Sequence, residues 1–319
     1  MRSRGTVDDY RGKAAGSASA GWHGHAGTAW LPVVKVAVTG TTGRVGAALA
    51  RYFQQDHEVI GLPRREFDLA DPARMAAALE GLDCDVFLNP AGLTGLEASE
   101  DDPVLAHRLN AEAPGELVEW AQHRGVHFIH FSTDYVFSGE EPGLRTEEDE
   151  PRPLSVYGRT KREGELAVLV HPGACVVRVS WVFGPEKPSF TDSIMRAALE
   201  GRPVSAIGDK WSLPTFTRDL SEWVGDLVKN RTEGVIHACQ SGEPASWHDM
   251  AEVIVDELVR QGRLSSKPVI EATMLDSVAA FRAPRPRHTA MATNKLAALL
   301  DRPTRAWQDA LREYVRECR

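Results

Sequence analysis

Val33-Val34-Lys35-Val36-Ala37-Val38-Thr39-Gly40-Thr41-Thr42-Gly43-Arg44-Val45-Gly46 is a β-branched run that breaks into a glycine-punctuated turn and then an Ala/Leu helix pattern. A strand that feeds a helix through such a turn leaves the first backbone N–H groups of the helix, and its dipole, facing outward. That arrangement favours a bound pyrophosphate. The spacing is Gly-x-x-Gly-x-x-Gly rather than Gly-x-Gly-x-x-Gly, and Gly40, Thr42, Gly43, Arg44, Val45 and Gly46 form the candidate phosphate loop.

Outward from this stretch, apolar runs alternate with helical patterns. Strands are expected at Val33–Val38, Glu58–Leu62, Val86–Asn89, His127–Phe131 and Cys175–Val179, with helices beginning near Arg44, Asp71, Pro103 and Leu154. Asp71-Pro72 reads as an N-cap followed by proline in the first turn. The alternation predicts an α/β fold, a Rossmann-type doubly wound parallel sheet with right-handed crossovers. Past Trp181 the pattern loosens. Phe190–Glu200, Trp247–Gln261, Asn294–Leu300 and Thr304–Arg316 read as helices, and Gly234–Cys239 as a returning strand. The expected division is a disordered tail at 1–31, a nucleotide-binding domain at 32–182 with 213–240 returning to it, and a smaller C-terminal substrate-binding lobe at 183–212 and 241–319.

The chain has 319 residues and a formal net charge of −8, which argues against a nucleic-acid or anionic-membrane surface as partner. No apolar run approaches the roughly 20 residues of a membrane span. Cys84, Cys175, Cys239 and Cys318 show no Cys-x-x-Cys spacing, and the first three sit in apolar runs. Buried reduced thiols in a cytoplasmic setting are the expectation. His23 and His25 lie in the tail and are read as bystanders; no ligand set for a metal is apparent. Glu147-Glu148-Asp149-Glu150 reads as a solvated loop, with a lid as the alternative.

Tyr157 and Lys161, in Tyr157-Gly158-Arg159-Thr160-Lys161, are four apart and share one face of a helix. A nearby ammonium lowers the pKa of a phenol, ordinarily near 10, and makes it a usable general acid. With five Tyr and eight Lys in the chain, about one such sequence in eight would carry this spacing by accident. Its position after the fourth strand of a glycine-loop fold gives it weight. Phe131-Ser132-Thr133-Asp134-Tyr135-Val136-Phe137 closes that strand, where open α/β sheets bind ligands. Ser132 and Thr133 alternate faces, so one hydroxyl points at a substrate and the other packs.

Together, Thr-Gly-x-x-Gly-x-x-Gly, Ser-Thr-Asp-Tyr-Val-Phe and Val-Tyr-Gly-x-Thr-Lys resemble the extended short-chain dehydrogenase/reductases. Within them the chain is most similar to the dTDP-4-dehydrorhamnose reductases and related NDP-4-keto-6-deoxyhexose 4-ketoreductases. The resemblance extends to Val177-Arg178-Val179-Ser180-Trp181-Val182-Phe183-Gly184, Pro214-Thr215, Thr217-Arg218-Asp219-Leu220 and Trp307-Gln308-Asp309-Ala310-Leu311. It implies reduction of the 4-keto group of a nucleotide sugar, with Thr133, Tyr157 and Lys161 catalytic. Tyr157 would protonate the oxygen, Thr133 would hydrogen-bond it, and Lys161 would hold the nicotinamide ribose and tune Tyr157. Gly43, Arg44 and Val45 would meet the pyrophosphate. Asp68 and Leu69 would bracket the adenine, and Pro90, Ala91, Gly92 and Phe131 would lie along the cofactor. Asp134 and Trp181 would contact the substrate, Trp181 as a platform for sugar or base, or else as core. Arg64 and Arg65 follow the second strand with no acid before Glu66, which favours NADPH, with NADH as the second candidate. The resemblance leaves room for a homodimer.

Two segments depart from the family pattern. Asn89-Pro90-Ala91-Gly92-Leu93-Thr94 replaces Asn-Ala-Ala-Ala-(aromatic or His)-Thr. Asp209-Lys210-Trp211-Ser212-Leu213-Pro214-Thr215 replaces Asp-Gln-x-Gly-x-Pro-Thr. Both fall near the expected sugar pocket, so a deoxysugar other than rhamnose fits as well. Two other readings share the fold: a non-catalytic NADP-binding regulatory subunit, against which intact Thr133, Tyr157 and Lys161 speak, and a nucleotide-sugar epimerase.

Overall fold

The β-branched run forms β1 (Lys35–Thr39), and the glycine turn leads into α1 (Arg44–Phe53). This is a computed structural model, and it describes residues 33–318. The expected tail at 1–31, with His23 and His25, lies outside the described residues. The chain continues through β2 (Glu58–Leu62), α2 (Pro72–Glu80) and β3 (Val86–Asn89). Asp71 caps α2 by accepting from the Arg74 N–H at 3.1 Å, with Pro72 in the first turn.

A helix begins at Pro103 as expected, but a short helix precedes it and a π-turn interrupts its continuation. α3 (Leu96–Asp101) stops at Asp102, whose side chain caps α4 (Pro103–His107) through the Leu105 N–H. A π-turn over Arg108–Glu112 then leads into α5 (Ala113–Arg124). Pro103 has no N–H to continue the preceding helix. The π-turn frees the Asn110 side chain to bond the Leu93 N–H, the Leu93 carbonyl and Thr160 Oγ1, which clamps the loop after β3 onto the next helix.

β4 runs from His127 to Thr133, two residues beyond its expected end. α6 (Val156–Leu169) is capped by Ser155, which accepts from the Gly158 N–H at 3.1 Å. β5 (Cys175–Val179) completes the sequence-visible sheet. Next come β6 (Val182–Phe183), α7 (Phe190–Leu199), β7 (Val204–Ile207), β8 (Trp211–Ser212) and β9 (Thr215–Phe216). α8 (Thr217–Lys229) and β10 (Gly234–His237) return to the large sheet. β11 (Ala245–Ser246), α9 (Trp247–Arg260), β12 (Ile270–Thr273), α10 (Asn294–Leu300) and α11 (Trp307–Glu317) finish the chain.

Six strands pair in parallel in the order β10-β5-β4-β3-β1-β2. The order reverses between β1 and β3, and an open sheet parts its loops to make a crevice at such a point. Alternation sets the two faces. Val36, Val38, Leu88, Ile129 and Phe131 pack under α1 and α8 with Leu49, Phe53, Trp223 and Leu227. Ala37, Phe87, Phe128 and Val176 pack on the other face with Met75, Leu79, Leu117 and Val118. A third cluster, built on Met195, Ile254, Leu258, Leu311, Tyr314 and Phe216, joins α7, α9 and α11.

Glu147, in the expected solvated acidic loop, is not solvated. Its carboxylate accepts from the His237 N–H at 2.9 Å and is 7% exposed. The unpaired backbone edge of β10 draws it in. Cys84, Cys175 and Cys239 are free and buried.

Arg178 and Glu165 form a buried bidentate pair, both bonds 2.8 Å, between β5 and α6. Burial raises the Glu165 pKa, but the bonds from Arg178 outweigh it and the carboxyl ends below its usual value. Its contribution is present above the ordinary carboxylate range and lost as pH falls through the lowered value. Arg178→Met should cost about 3–5 kcal/mol in urea unfolding at pH 7. The gap between wild type and variant should narrow as pH falls below about 4.

Candidate active site

The crevice at the carboxyl ends of β1, β3 and β4 opens into a cavity of about 680 Å³. The residues expected from the sequence line it. Gly40, Thr42, Gly43, Arg44, Val45 and Gly46 come from the β1–α1 turn, Arg64, Asp68 and Leu69 from the loop after β2, and Pro90, Ala91 and Gly92 from the loop after β3. Phe131, Thr133 and Asp134 come from the end of β4, Tyr157 and Lys161 from α6, and Trp181 from the turn after β5. Arg65 does not line it and instead pairs with Glu66 at 2.8 Å. Residues that sequence reasoning missed also face the cavity, among them Leu93, Leu96, Tyr135 and Lys187. Leu93 sits in a loop and Leu96 opens the short helix α3, neither with a periodic signal.

The turn fits a diphosphate. Gly43 is the N-cap of α1 and makes no side-chain capping bond, and the first turn carries no acid. The leading N–H groups are therefore left for an anion. A Cβ on Gly46 would stand 2.3 Å from the Gly40 carbonyl oxygen, so only glycine lets the helix start this close to the turn. The Arg44 side chain is engaged elsewhere, donating to the Pro188 carbonyl at 2.8 Å and to that of Lys187 at 3.3 Å.

At the far end of the cavity, the Tyr157 phenol lies near the Thr133 hydroxyl. Thr133 Oγ1 also accepts from the Tyr135 N–H and donates to Asp134 Oδ1, both at 3.2 Å. Burial pushes the Tyr157 phenol up to about 12 against the pull of Thr133, and the Asp134 charge adds to the rise. This corrects the expectation that Lys161 lowers that value. The Lys161 ammonium is turned to the Phe131 carbonyl at 2.6 Å and to His130 Nε2 at 3.0 Å. Burial brings its own pKa down to about 8, with Glu165 opposing.

Asp134 is 1% exposed and gathers hydroxyls from across the chain. Its Oδ2 accepts from Ser180 at 2.9 Å, Ser212 at 3.2 Å and Thr289 at 2.5 Å. It is a joint between β4 and the C-terminal segments. Trp181 stands at the cavity wall and packs into the neighbouring core at once. It lines the cavity, packs edge-on against Trp247 at 5.7 Å, and keeps a buried indole N–H with no partner among the described residues. Its φ of 43° is in the left-handed region, a strain that aims the ring. Behind it lies Lys210, one of the departures from the family pattern. Lys210 is fully buried, donates to the Pro286 carbonyl at 2.5 Å, and sits 4.7 Å over the Tyr135 ring and 5.6 Å over that of Trp181.

Residues 34–319 match the family model described as the RmlD substrate binding domain. A probable dTDP-4,6-dihydroxy-2-methyloxan-3-one 4-ketoreductase of Streptomyces antibioticus is 33% identical over 283 residues, 86% of this chain and 92% of the relative. A dTDP-4-dehydrorhamnose reductase of Burkholderia thailandensis is 34% identical over 232 residues, 70% of this chain and 78% of the relative. Among solved structures, a dTDP-4-dehydrorhamnose reductase from Clostridium acetobutylicum superposes with a TM-score of 0.81 at 26% identity, over 89% of this chain and 99% of that one. The chain belongs to the RmlD substrate-binding-domain family and shares its Rossmann-type fold.

Asp134→Ala would leave four buried hydroxyls without their acceptor. It should lower unfolding free energy by about 2–4 kcal/mol in urea titration, while Ser180→Ala should cost about 1 kcal/mol.

Proposed function

We propose that this protein is a reductase that acts with NADPH on the 4-keto group of a nucleoside-diphosphate 4-keto-6-deoxysugar. The observation that carries the reading is the meeting of Thr133, Tyr157 and Lys161 in the same cavity as an uncapped glycine turn. The relatives named as 4-keto reductases support it.

NADPH, when bound, supplies hydride to the carbonyl carbon. The protein's part is to hold the ring and the ketone together and to manage one proton. Tyr157 stays protonated at neutral pH because burial holds its phenol up to about 12. An alkoxide is more basic still, so the proton moves from Tyr157 Oη to the sugar oxygen as charge develops there. Thr133 Oγ1 steadies that oxygen by turning its one hydroxyl proton to it from Asp134 Oδ1. The Lys161 ammonium, one turn along the same helix and held by the Phe131 carbonyl and His130, would hold the ribose. The N–H groups of Arg44 and Val45 would take the diphosphate, that of Gly43 being held by the Gly40 carbonyl at 2.7 Å. Arg64, 76% exposed on its side chain and 3.8 Å from Asp68, is free to swing onto a 2′-phosphate. Asp68 and Leu69 flank the adenine, and Pro90, Ala91, Gly92 and Phe131 line the nicotinamide half.

The lobe at 183–212 and 241–319 is assigned to the nucleotide sugar, with Trp181 as the stacking platform and Asp134 fixing the Thr133 hydroxyl. A cytoplasmic setting is supported by the free buried thiols of Cys84, Cys175 and Cys239. No described helix is long and apolar enough to cross a membrane. Sedimentation of the purified protein decides whether it is a homodimer.

The test is a panel of nucleotide 4-keto-6-deoxysugars, followed by NADPH oxidation and NMR of the product. Tyr157→Phe should lower kcat by at least about 100-fold with NADPH affinity unchanged. A variant that turns over normally would refute the assignment. Arg64→Ala should raise KM for NADPH about 10-fold and leave KM for NADH unmoved, read from initial rates with each cofactor.

A further inference from the structure

Behind Lys161, away from the cavity, lies a row of buried polar side chains that the proposed reaction does not use. His130 Nε2 is 3.0 Å from Lys161 Nζ, and His130 Nδ1 is 3.2 Å from one arm of the Asn89 carboxamide. The other arm of that carboxamide meets Thr39 Oγ1 at 2.8 Å, and Thr39 Oγ1 accepts from the Ala91 N–H at 3.2 Å. Thr39, Asn89 and His130 stand on the adjacent strands β1, β3 and β4, none more than 1% exposed. None of the three lines the cavity, whereas Ala91 and Lys161, at the two ends of the row, both do.

Counting protons fixes the arrangement. An ammonium only donates, so His130 Nε2 must accept, and the imidazole proton must sit on Nδ1. That Nδ1–H needs an acceptor, whereas in the structure the Asn89 NH₂ faces it and the Asn89 oxygen accepts from Thr39 Oγ1; a half-turn of the carboxamide, which exchanges its two ends, supplies the acceptor and turns the NH₂ to Thr39. Thr39 Oγ1 then accepts from both Asn89 and Ala91. An imidazolium has no place here. Burial and the adjacent Lys161 charge hold the His130 pKa well below its ordinary value.

We infer that His130, held by Asn89 as the neutral Nδ1–H tautomer, is a positioning residue that sets the Lys161 ammonium for the reaction. With the Phe131 carbonyl taking one N–H and His130 Nε2 a second, the third has a single direction left, into the cavity. Held by the carbonyl alone, the ammonium could rotate about its stem. The row also ties the position of Lys161 to the backbone of Ala91, on the opposite wall. This inference rests on the role given to Lys161 above.

The experiment uses the full chain with His130→Phe and His130→Gln, because the end of a Gln side chain falls near the place of Nε2 and can accept there. His130→Phe should lower kcat about 10–100-fold with KM for the nucleotide sugar changed less than about twofold. His130→Gln should recover kcat to within about fivefold of wild type. Urea midpoints report folding, and if the Phe variant does not fold the Gln variant and the spectrum below decide. In ¹⁵N-histidine NMR of the cofactor-free wild type, His130 should show a protonated Nδ1 and a bare Nε2. A Phe variant with wild-type kcat, a folded Gln variant that has lost turnover, or a proton on Nε2 would each overturn the inference. A wild type that reduces no ketone would overturn the proposed function instead, and the tautomer would still be read.

Discussion

Burying the Lys161 ammonium constrains much of the rest of the site. At 4% exposure the charge must find acceptors within the protein, and it finds the Phe131 carbonyl and the His130 imidazole, both on β4. For Lys161 to reach them, α6 must lie close to the end of that strand. Gly158 permits it, since a Cβ there would stand 2.3 Å from the Tyr135 carbonyl oxygen. The same approach carries Tyr157, one turn before Lys161, onto Thr133. The meeting of Tyr157 with Thr133 and the packing of α6 are therefore one requirement.

A second joint holds the two sides of the crevice together. Asp134, just past β4, is bonded by Ser180 after β5, by Ser212 in β8 and by Thr289 in the C-terminal segment. These three hydroxyls converging on one carboxylate fix the floor on which Thr133 stands. Lys210, wedged behind Tyr135 and Trp181, stiffens the neighbouring wall. The wall at this end is thus set by polar contacts under aromatic rings.

The parallel sheet was legible because strands buried on both faces leave near-continuous apolar runs, such as Val86–Asn89 and Cys175–Val179. The phosphate turn and the Tyr157–Lys161 pair were legible because their spacing follows from strand-to-helix and helix geometry. What escaped depends on contacts distant in sequence. β4 runs on to Thr133 because it pairs with β5, where Thr133 faces Val179. The long helix α8 begins with no side-chain cap, and its apolar face answers α1. Glu147 is drawn in by a strand edge some 90 residues away. The direction of the Lys161 ammonium, toward β4 rather than Tyr157, depends on a histidine that strand alternation alone marks only as buried.

The central claim is that this crevice moves hydride from the nicotinamide ring to C4 of a nucleotide-bound keto sugar. Supplying NADPH carrying deuterium at the transferable position of nicotinamide C4 and recording the NMR spectrum of the sugar product tests it directly. Deuterium is expected at sugar C4, one per turnover, with none at C3 or C5. Product formed without deuterium at C4, or cofactor oxidised with no label passed to the sugar, would contradict it.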